Sequence, residues 1–198
     1  MLLFLVRLLK EPGSVLRRLF QCFFVWGQPT PKGNPKDAQL IVVQAMSDCE
    51  GDVSSQTNLS LASYALRYYE RFGTPIFPQA EVGRIIEGQH TPIVGETAFC
   101  STVDLWSDEY IRSDEVARLQ KHLCDETGWT RVLVVASYPH AHRACWIYER
   151  LGFEVIIPPA LPKMQFEKEF SQRRWRKPIS AYPYELLARL FFLYKGLI

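Results

Sequence analysis

The sequence predicts an α/β protein, a Rossmann-like three-layer sandwich around a mainly parallel central sheet. Three observations carry that expectation. The runs Leu40-Ile41-Val42-Val43 and Val132-Leu133-Val134-Val135 are apolar at every position, as strands buried on both faces are. Segments of helical period alternate with such runs along the chain. The stretch from Arg131 to Pro159, RVLVVASYPHAHRACWIYERLGFEVIIPP, reads as strand, polar loop, helix and strand, which is one complete βαβ unit.

Taken in order, Met1 to Leu9 is apolar but broken by Arg7 and closed by Lys10-Glu11-Pro12-Gly13. A bilayer needs about 20 apolar residues, so this run is too short to span one. It also lacks a small-x-small cleavage site. Ser14 can cap a helix in which Val15, Leu16, Leu19, Phe20 and Phe23 share a face and Arg17 and Arg18 lie on another. Two readings compete. A helix packed on the core is the simpler one; a basic amphipathic segment in peripheral membrane contact through residues 1–27 is the other. Gln28 to Asp37, with three prolines, reads as a linker, which divides the chain into residues 1–37 and an α/β domain over 38–198.

Within that domain the first strand is expected at Leu40 to Val43. A helix follows over Leu59 to Phe72, with Leu59, Ala62, Leu66 and Tyr69 on its inner face and Gly73 ending it. Pro75 to Pro78 is a short strand and Glu81 to Glu87 a short helix. His90 to Cys100 reads as loop or edge strand, and Val103 to Trp106 as a further strand. Ser113 opens a helix with Asp114 and Glu115 in its first turn, where the helix dipole favours negative charge. Its expected buried stripe is Val116, Leu119 and Leu123. The βαβ unit comes next, its helix from about Ala141 to Gly152 and its second strand from Phe153 to Ile157. Pro183 heads a last helix, Tyr184 to Leu193, with Leu186, Leu187, Leu190 and Phe191 expected inward.

Composition bounds the function. The 198 residues are 47% apolar, enough for one substantial core. A net charge of +2 and the lack of a basic stripe interleaved with aromatics argue against a nucleic-acid partner. The run Arg173-Arg174-Trp175-Arg176-Lys177 is read as a solvated turn before Pro178, able to meet phosphates or lipid head groups. The five cysteines are odd in number and form no C-x-x-C pair, so neither a zinc ribbon nor a disulfide framework is expected. Reduced thiols and a cytoplasmic setting fit this usage, with Cys145 as a small buried apolar residue. Nothing in the sequence names a cofactor or an oligomeric state, and no metal site is expected.

In parallel sheets ligands collect outside the carboxyl ends of the strands. Ser137, His140 and Arg143 follow a strand there. His140 titrates near neutrality, so it is a candidate general acid or base, against the plainer reading of a loop or capping histidine. Arg143, one helical turn on, suits an anionic ligand; the competing reading is a surface arginine paired with Glu149. Ser137 is a candidate hydrogen-bond donor to the same anion, and no G-x-S-x-G elbow makes it a hydrolase nucleophile. Ser47 and Asp48 follow the first strand and are ligand candidates by position. Ser113 and Glu115 are candidates for a ligand hydroxyl, although an ordinary helix start looks the same. His140 and His142 diverge on a helix and are not expected to share a metal.

The segment Ser137-Tyr138-Pro139-His140-Ala141-His142-Arg143-Ala144 resembles the "TS-x-x-H-x-x-R-A" signature of the YdcF/SanA/ElyC-like domain of unknown function. Gly152, Val155 to Ile157 and Pro158-Pro159 are similar to that signature's continuation. Ser113-Asp114-Glu115 keeps the hydroxyl and acid of the family's "N-T-x-E-N" segment, and Glu185-Leu186-Leu187-Ala188-Arg189 to Gly196 is similar to its last helix. The resemblance covers roughly residues 38–198 and is specific over 131–159. It implies a Rossmann-like fold, a cleft at the strand ends with His140 and Arg143 central, a small anionic or nucleotide-like ligand, and a link to the cell envelope. The family's glycine-rich turns are replaced here by Ala45-Met46-Ser47-Asp48 and Pro78-Gln79-Ala80-Glu81, which marks a divergent member and leaves a non-catalytic scaffold as an alternative. A second resemblance is narrower: Ala144 to Phe153 looks like the "A-x-x-x-Y-E-x-x-G-F" helix of GNAT acetyltransferases, which would put Tyr148 near an acyl thioester. The pyrophosphate loop of that family is not present upstream.

Overall fold

The computed structural model describes residues 11–46, 54–87, 113–168, 170 and 173–198. The chain forms a four-stranded, all-parallel sheet: β1 (Leu40–Gln44), β2 (Ile76–Pro78), β3 (Arg131–Ala136) and β4 (Glu154–Ile156), in the spatial order β2-β1-β3-β4. The register pairs Val42 with Phe77 on one side and with Val134 on the other, and Val132 with Val155. Helices α1 (Pro12–Phe24), α2 (Gln56–Phe72), α3 (Ala80–Glu87), α4 (Ser113–Thr127), α5 (His140–Arg150) and α6 (Pro178–Lys195) cover both faces. The predicted α/β sandwich is therefore what forms, and the segments 90–100 and 103–106 lie outside the described residues.

The two-residue period of the strands divides the core. Leu40, Val42, Val132 and Val134 point to one face and pack with α5, Cys22 of α1, Ala117 and Cys124 of α4 and Phe192 of α6. Ile41, Val43, Leu133 and Val135 point to the other, against Leu61, Ala62, Ala65 and Leu66 of α2 and Val82 and Ile86 of α3. Both faces of every strand thus bury apolar side chains, which explains the unbroken apolar runs in the sequence. The order also creates a switch point. The chain leaves β1 for β2 on one side and returns to β3 on the other, so the crevice between the carboxyl ends of β1 and β3 is where such sheets bind ligands.

The segment before β1 is fastened to the sheet. Lys32 forms an antiparallel bridge with Ile157: the Lys32 N–H donates to the Ile157 carbonyl at 3.0 Å and the Ile157 N–H returns the bond at 2.8 Å. The Gln28 amide donates to the Pro159 carbonyl at 2.6 Å. Helix α1 packs on the core through Val15 and Cys22, the simpler of its two readings. Its apolar face is not the buried one throughout, because Leu16, Phe20 and Phe23 are exposed.

Two other helices turn differently from the sequence pattern. In α4 the buried stripe is Val116, Ala117, Gln120 and Cys124, and Leu119 is exposed. Helix α6 begins at Pro178, five residues before Pro183, which sits inside it. Its inward stripe is Ala181, Glu185, Arg189, Phe192 and Leu193, whereas Leu187 and Phe191 are exposed. A helix apolar on most sides leaves hydrophobicity with no preferred face. Pairing of Glu185 with buried cations then decides the rotation.

Candidate functional site at the carboxyl ends of the strands

β3 ends at Ala136, and the chain turns through Ser137, Tyr138 and a cis peptide bond to Pro139 before α5 starts at His140. The turn is held by the Ala141 N–H donating to the Ser137 carbonyl at 2.9 Å. It is held again by the segment around Lys163, where the Tyr138 N–H donates to Pro162 and the Met164 N–H to Tyr138, each at 3.2 Å. This arrangement points the first turn of α5 at the crevice, and the helix dipole contributes positive potential there.

His140 and Arg143 do come together, but inside the molecule rather than on an open rim. They are 4% and 3% exposed. Arg143 is not paired with Glu149, which instead takes Arg18 and Lys32 at 2.8 and 3.1 Å. Its partner is Glu185 of α6, fully buried. The Arg143 Nε donates to both carboxylate oxygens at 3.0 and 3.2 Å, and Nη2 donates to Oε2 at 2.9 Å. The remaining Nη1 donates to the Ser113 hydroxyl at 3.1 Å. A second buried cation, Arg189, donates from Nε to the Glu185 Oε1 at 3.2 Å. Its Nη groups reach the carbonyls of Val25 and Pro139, both at 2.6 Å. Arg189 also lies over the rings of Trp26 and Trp146 at 4.4 and 5.4 Å.

The electrostatics follow from this geometry. Burial alone would raise the Glu185 pKa, yet Arg143, His140 and Arg189 overcome it and hold the carboxyl below its ordinary range. Burial draws the Arg189 guanidinium down, and Glu185 pushes it back up. His140 is lowered to about 3, first by burial and then by Arg143, so it is a neutral imidazole at neutral pH. Its Nδ1 is 4.0 Å from Glu185 Oε2, beyond hydrogen-bond reach, and it is buried without a partner. The Ser137 hydroxyl is also buried without a partner. The His142 Nε2–H donates to the Gly27 carbonyl, 2.9 Å away, and the imidazole is lowered to about 4 by burial and then Arg189.

The end of β1 is closed in another way. The main-chain N–H groups just beyond a strand would normally be free to receive an anion. Here the Ala45 N–H donates to the Gln79 side chain at 3.0 Å, and the Met46 N–H to Asn58 Oδ1 at 2.8 Å. Asn58 returns a bond to the Met46 carbonyl at 3.1 Å. Met46 then packs with Met164, Phe170, Trp175 and Ala181 in a small third core over that end of the sheet. Gln79, in the segment that replaces the second glycine turn, thus caps the backbone of the segment that replaces the first, and Asn58 of α2 caps the next residue.

Of the other candidates, Ser113 joins the cluster through Arg143, and Glu115 is half-buried two residues further along α4. Ser47 and Asp48 lie outside the described residues. Tyr148 is fully buried, and its hydroxyl takes the Gln44 amide at 2.9 Å while donating to Gln120. Burial raises its phenol well above the ordinary value. A tyrosine so placed cannot meet a thioester at the surface. Cys22, Cys124 and Cys145 are free and buried, with thiols raised by burial to about 11, 11 and 12. They are protonated, unreactive core residues at neutral pH. Among the described residues no group of three or more His, Cys, Asp or Glu could hold a metal.

Sequence reasoning did not single out Glu185 and Arg189 for the site. Their signal was present: spaced i, i+4, they are the only charged residues of α6 before Lys195. No family model matches the chain, and no curated protein or solved structure matches it either.

Proposed function

We propose that the chain is a YdcF/SanA/ElyC-like α/β domain that binds a small anionic or nucleotide-like ligand where β1 and β3 end. Ser137 and the neutral His140 imidazole make the direct hydrogen bonds, and Arg143 and Arg189 supply a positive field only partly offset by Glu185. The observation that carries the reading is the pair of orphaned polar atoms, Ser137 Oγ and His140 Nδ1, both buried beside the switch point. Buried polar groups without partners are costly, and a ligand that satisfies them recovers that cost. With Arg143 held by Glu185, His140 rather than Arg143 is the residue free to touch the ligand, and Arg143 positions and polarises.

The test is a thermal-shift panel of inorganic phosphate, nucleotides, sugar phosphates and S-adenosylmethionine. A true ligand at a hundredfold excess over its Kd stabilises by about 2.7 kcal/mol. Ser137→Ala and His140→Ala should abolish the shift without unfolding the protein. If neither variant alters the response to any ligand that shifts the wild type, the site is elsewhere.

A second reading is a non-catalytic, envelope-associated scaffold. It is favoured by the closure of the β1 end, where the N–H groups of Ala45 and Met46 are already taken by Gln79 and Asn58. Under it, the Arg143 and Glu185 variants change stability alone and the panel is silent. Acetyl-CoA in the same panel tests the acetyl-transfer alternative, for which buried Tyr148 is unsuited.

A further inference from the structure

We infer that α1 and α6 together form a docking face for an anionic lipid surface. This stands on residues separate from the ligand site, so either proposal can fail alone. Each helix turns one stripe inward and leaves a second apolar stripe in water. On α1 the outward side chains are Leu16, Phe20 and Phe24, which are 58%, 61% and 70% exposed. The rings of Phe20 and Phe24 lean on each other at 4.6 Å. On α6, Ile179 and Leu187 are 83% and 65% exposed, at the spacing of one helical face. The helices are neighbours: the Trp26 ring meets Tyr182 edge-on at 5.4 Å, and Arg189 ties α6 to the Val25 carbonyl that ends α1.

Charge selects the occupant. Among the described residues, the exposed cations on α1, on α6 and on the turn leading into it are Arg17, Arg173, Lys177 and Lys195. Over residues 11–26 and 173–198 the only acids are Glu11, which is exposed, and Glu185, which is buried and spent on Arg143 and Arg189. Beside these exposed apolar side chains, the described residues of the face therefore set four exposed cations against one exposed acid. A second copy would set those cations against their own like, whereas an anionic headgroup layer neutralises them. The sequence leading into α1, MLLFLVRLLK, adds eight apolar and two basic residues and no acid. Among the described residues no helix is long and apolar enough to cross a membrane. Helices of this kind lie in the interface, with apolar side chains inserted and basic ones at headgroup level.

The experiment is flotation of the full chain with phosphatidylcholine vesicles prepared with and without phosphatidylglycerol. The wild type should float with the anionic vesicles, stay behind with the neutral ones, and be released by high salt. Leu187→Ser with Ile179→Ser, both at exposed positions and checked by circular dichroism, should weaken binding about tenfold or more. Lys177→Gln and Lys195→Gln should each weaken it about fivefold, and they keep the test open if the serine variant misfolds. The proposal is overturned if the wild type binds neither vesicle or both equally. It is equally overturned if both sets of α6 variants bind like the wild type, which would take α6 out of the face. A lipid-free dimer that Leu187→Ser dissociates would assign the face to a second copy and end it too.

Discussion

At the residue scale the centre of the molecule is one carboxylate between two guanidinium groups. Glu185 accepts from Arg143 and Arg189 with all three side chains almost free of water. Ionising such groups in the interior is expensive, so the cluster holds only while complete. Glu185→Ala should therefore cost about 3–5 kcal/mol, because two buried cations lose their counter-charge. In a chain of this size that corresponds to a fall in Tm of about 2–4 °C per kcal/mol, readable by calorimetry. Arg143→Lys should also destabilise, since an ammonium cannot span both carboxylate oxygens and Ser113. A Glu185→Ala protein as stable as the wild type would show that the cluster contributes nothing. His140 and Arg143 were legible as a pair because the polar loop follows an apolar strand. Their burial was not legible, because it depends on Glu185 arriving from 42 residues away in sequence.

At the element scale the strands were the most readable part, since burial on both faces demands unbroken apolar runs. Helix rotation was the least readable. Leu119, Leu187 and Phe191 satisfy helical spacing as well as the residues that in fact turn inward. In α4 and α6 polar groups, Gln120, Glu185 and Arg189, occupy the inner stripe, where pairing rather than hydrophobicity places them. The end of β1 shows the same rule at work. Asn58, in the first turn of α2, clamps Met46 through both its N–H and its carbonyl. Asn58→Ala should leave those two backbone groups without their partner and cost about 1–3 kcal/mol for each. Urea denaturation measures this directly, and an unchanged midpoint would refute the clamp. The linker gives a parallel case. Gly33 has φ +72°, and a Cβ there would lie 3.1 Å from Ile156 Cγ1. Gly33→Ala should thus destabilise by about 1–3 kcal/mol through strain at positive φ, loosening the contact of the linker with β4.

On the scale of the whole molecule, two of the buried groups make folding depend on pH. His140 and His142 have pKa values lowered from 6.5 to about 3 and about 4. Between those values and 6.5 the unfolded chain binds protons that the native chain refuses. Stability therefore rises with pH through this window, is complete above the unfolded value, and is lost as the solution is acidified. Each histidine contributes a slope of up to about 1.4 kcal/mol per pH unit. Acidifying from about pH 7 to about pH 5 should cost roughly 2 kcal/mol for each, or roughly 4 kcal/mol together. Glu185, held below its ordinary range, adds its own loss only at lower pH, as its carboxylate protonates. The two histidines belong to different attachments: His140 opens α5 beside the ligand crevice, and His142 bonds Gly27 just after α1. Charging either one forces open a different contact, yet both contacts meet at Arg189, which bonds the carbonyls of Val25 and Pro139. Urea midpoints at the two pH values, compared for the wild type, His140→Gln, His142→Gln and the double variant, should show each substitution removing about half of the pH dependence and the pair removing nearly all of it. A wild type equally stable at both pH values would mean that these imidazoles are open to water in the native state.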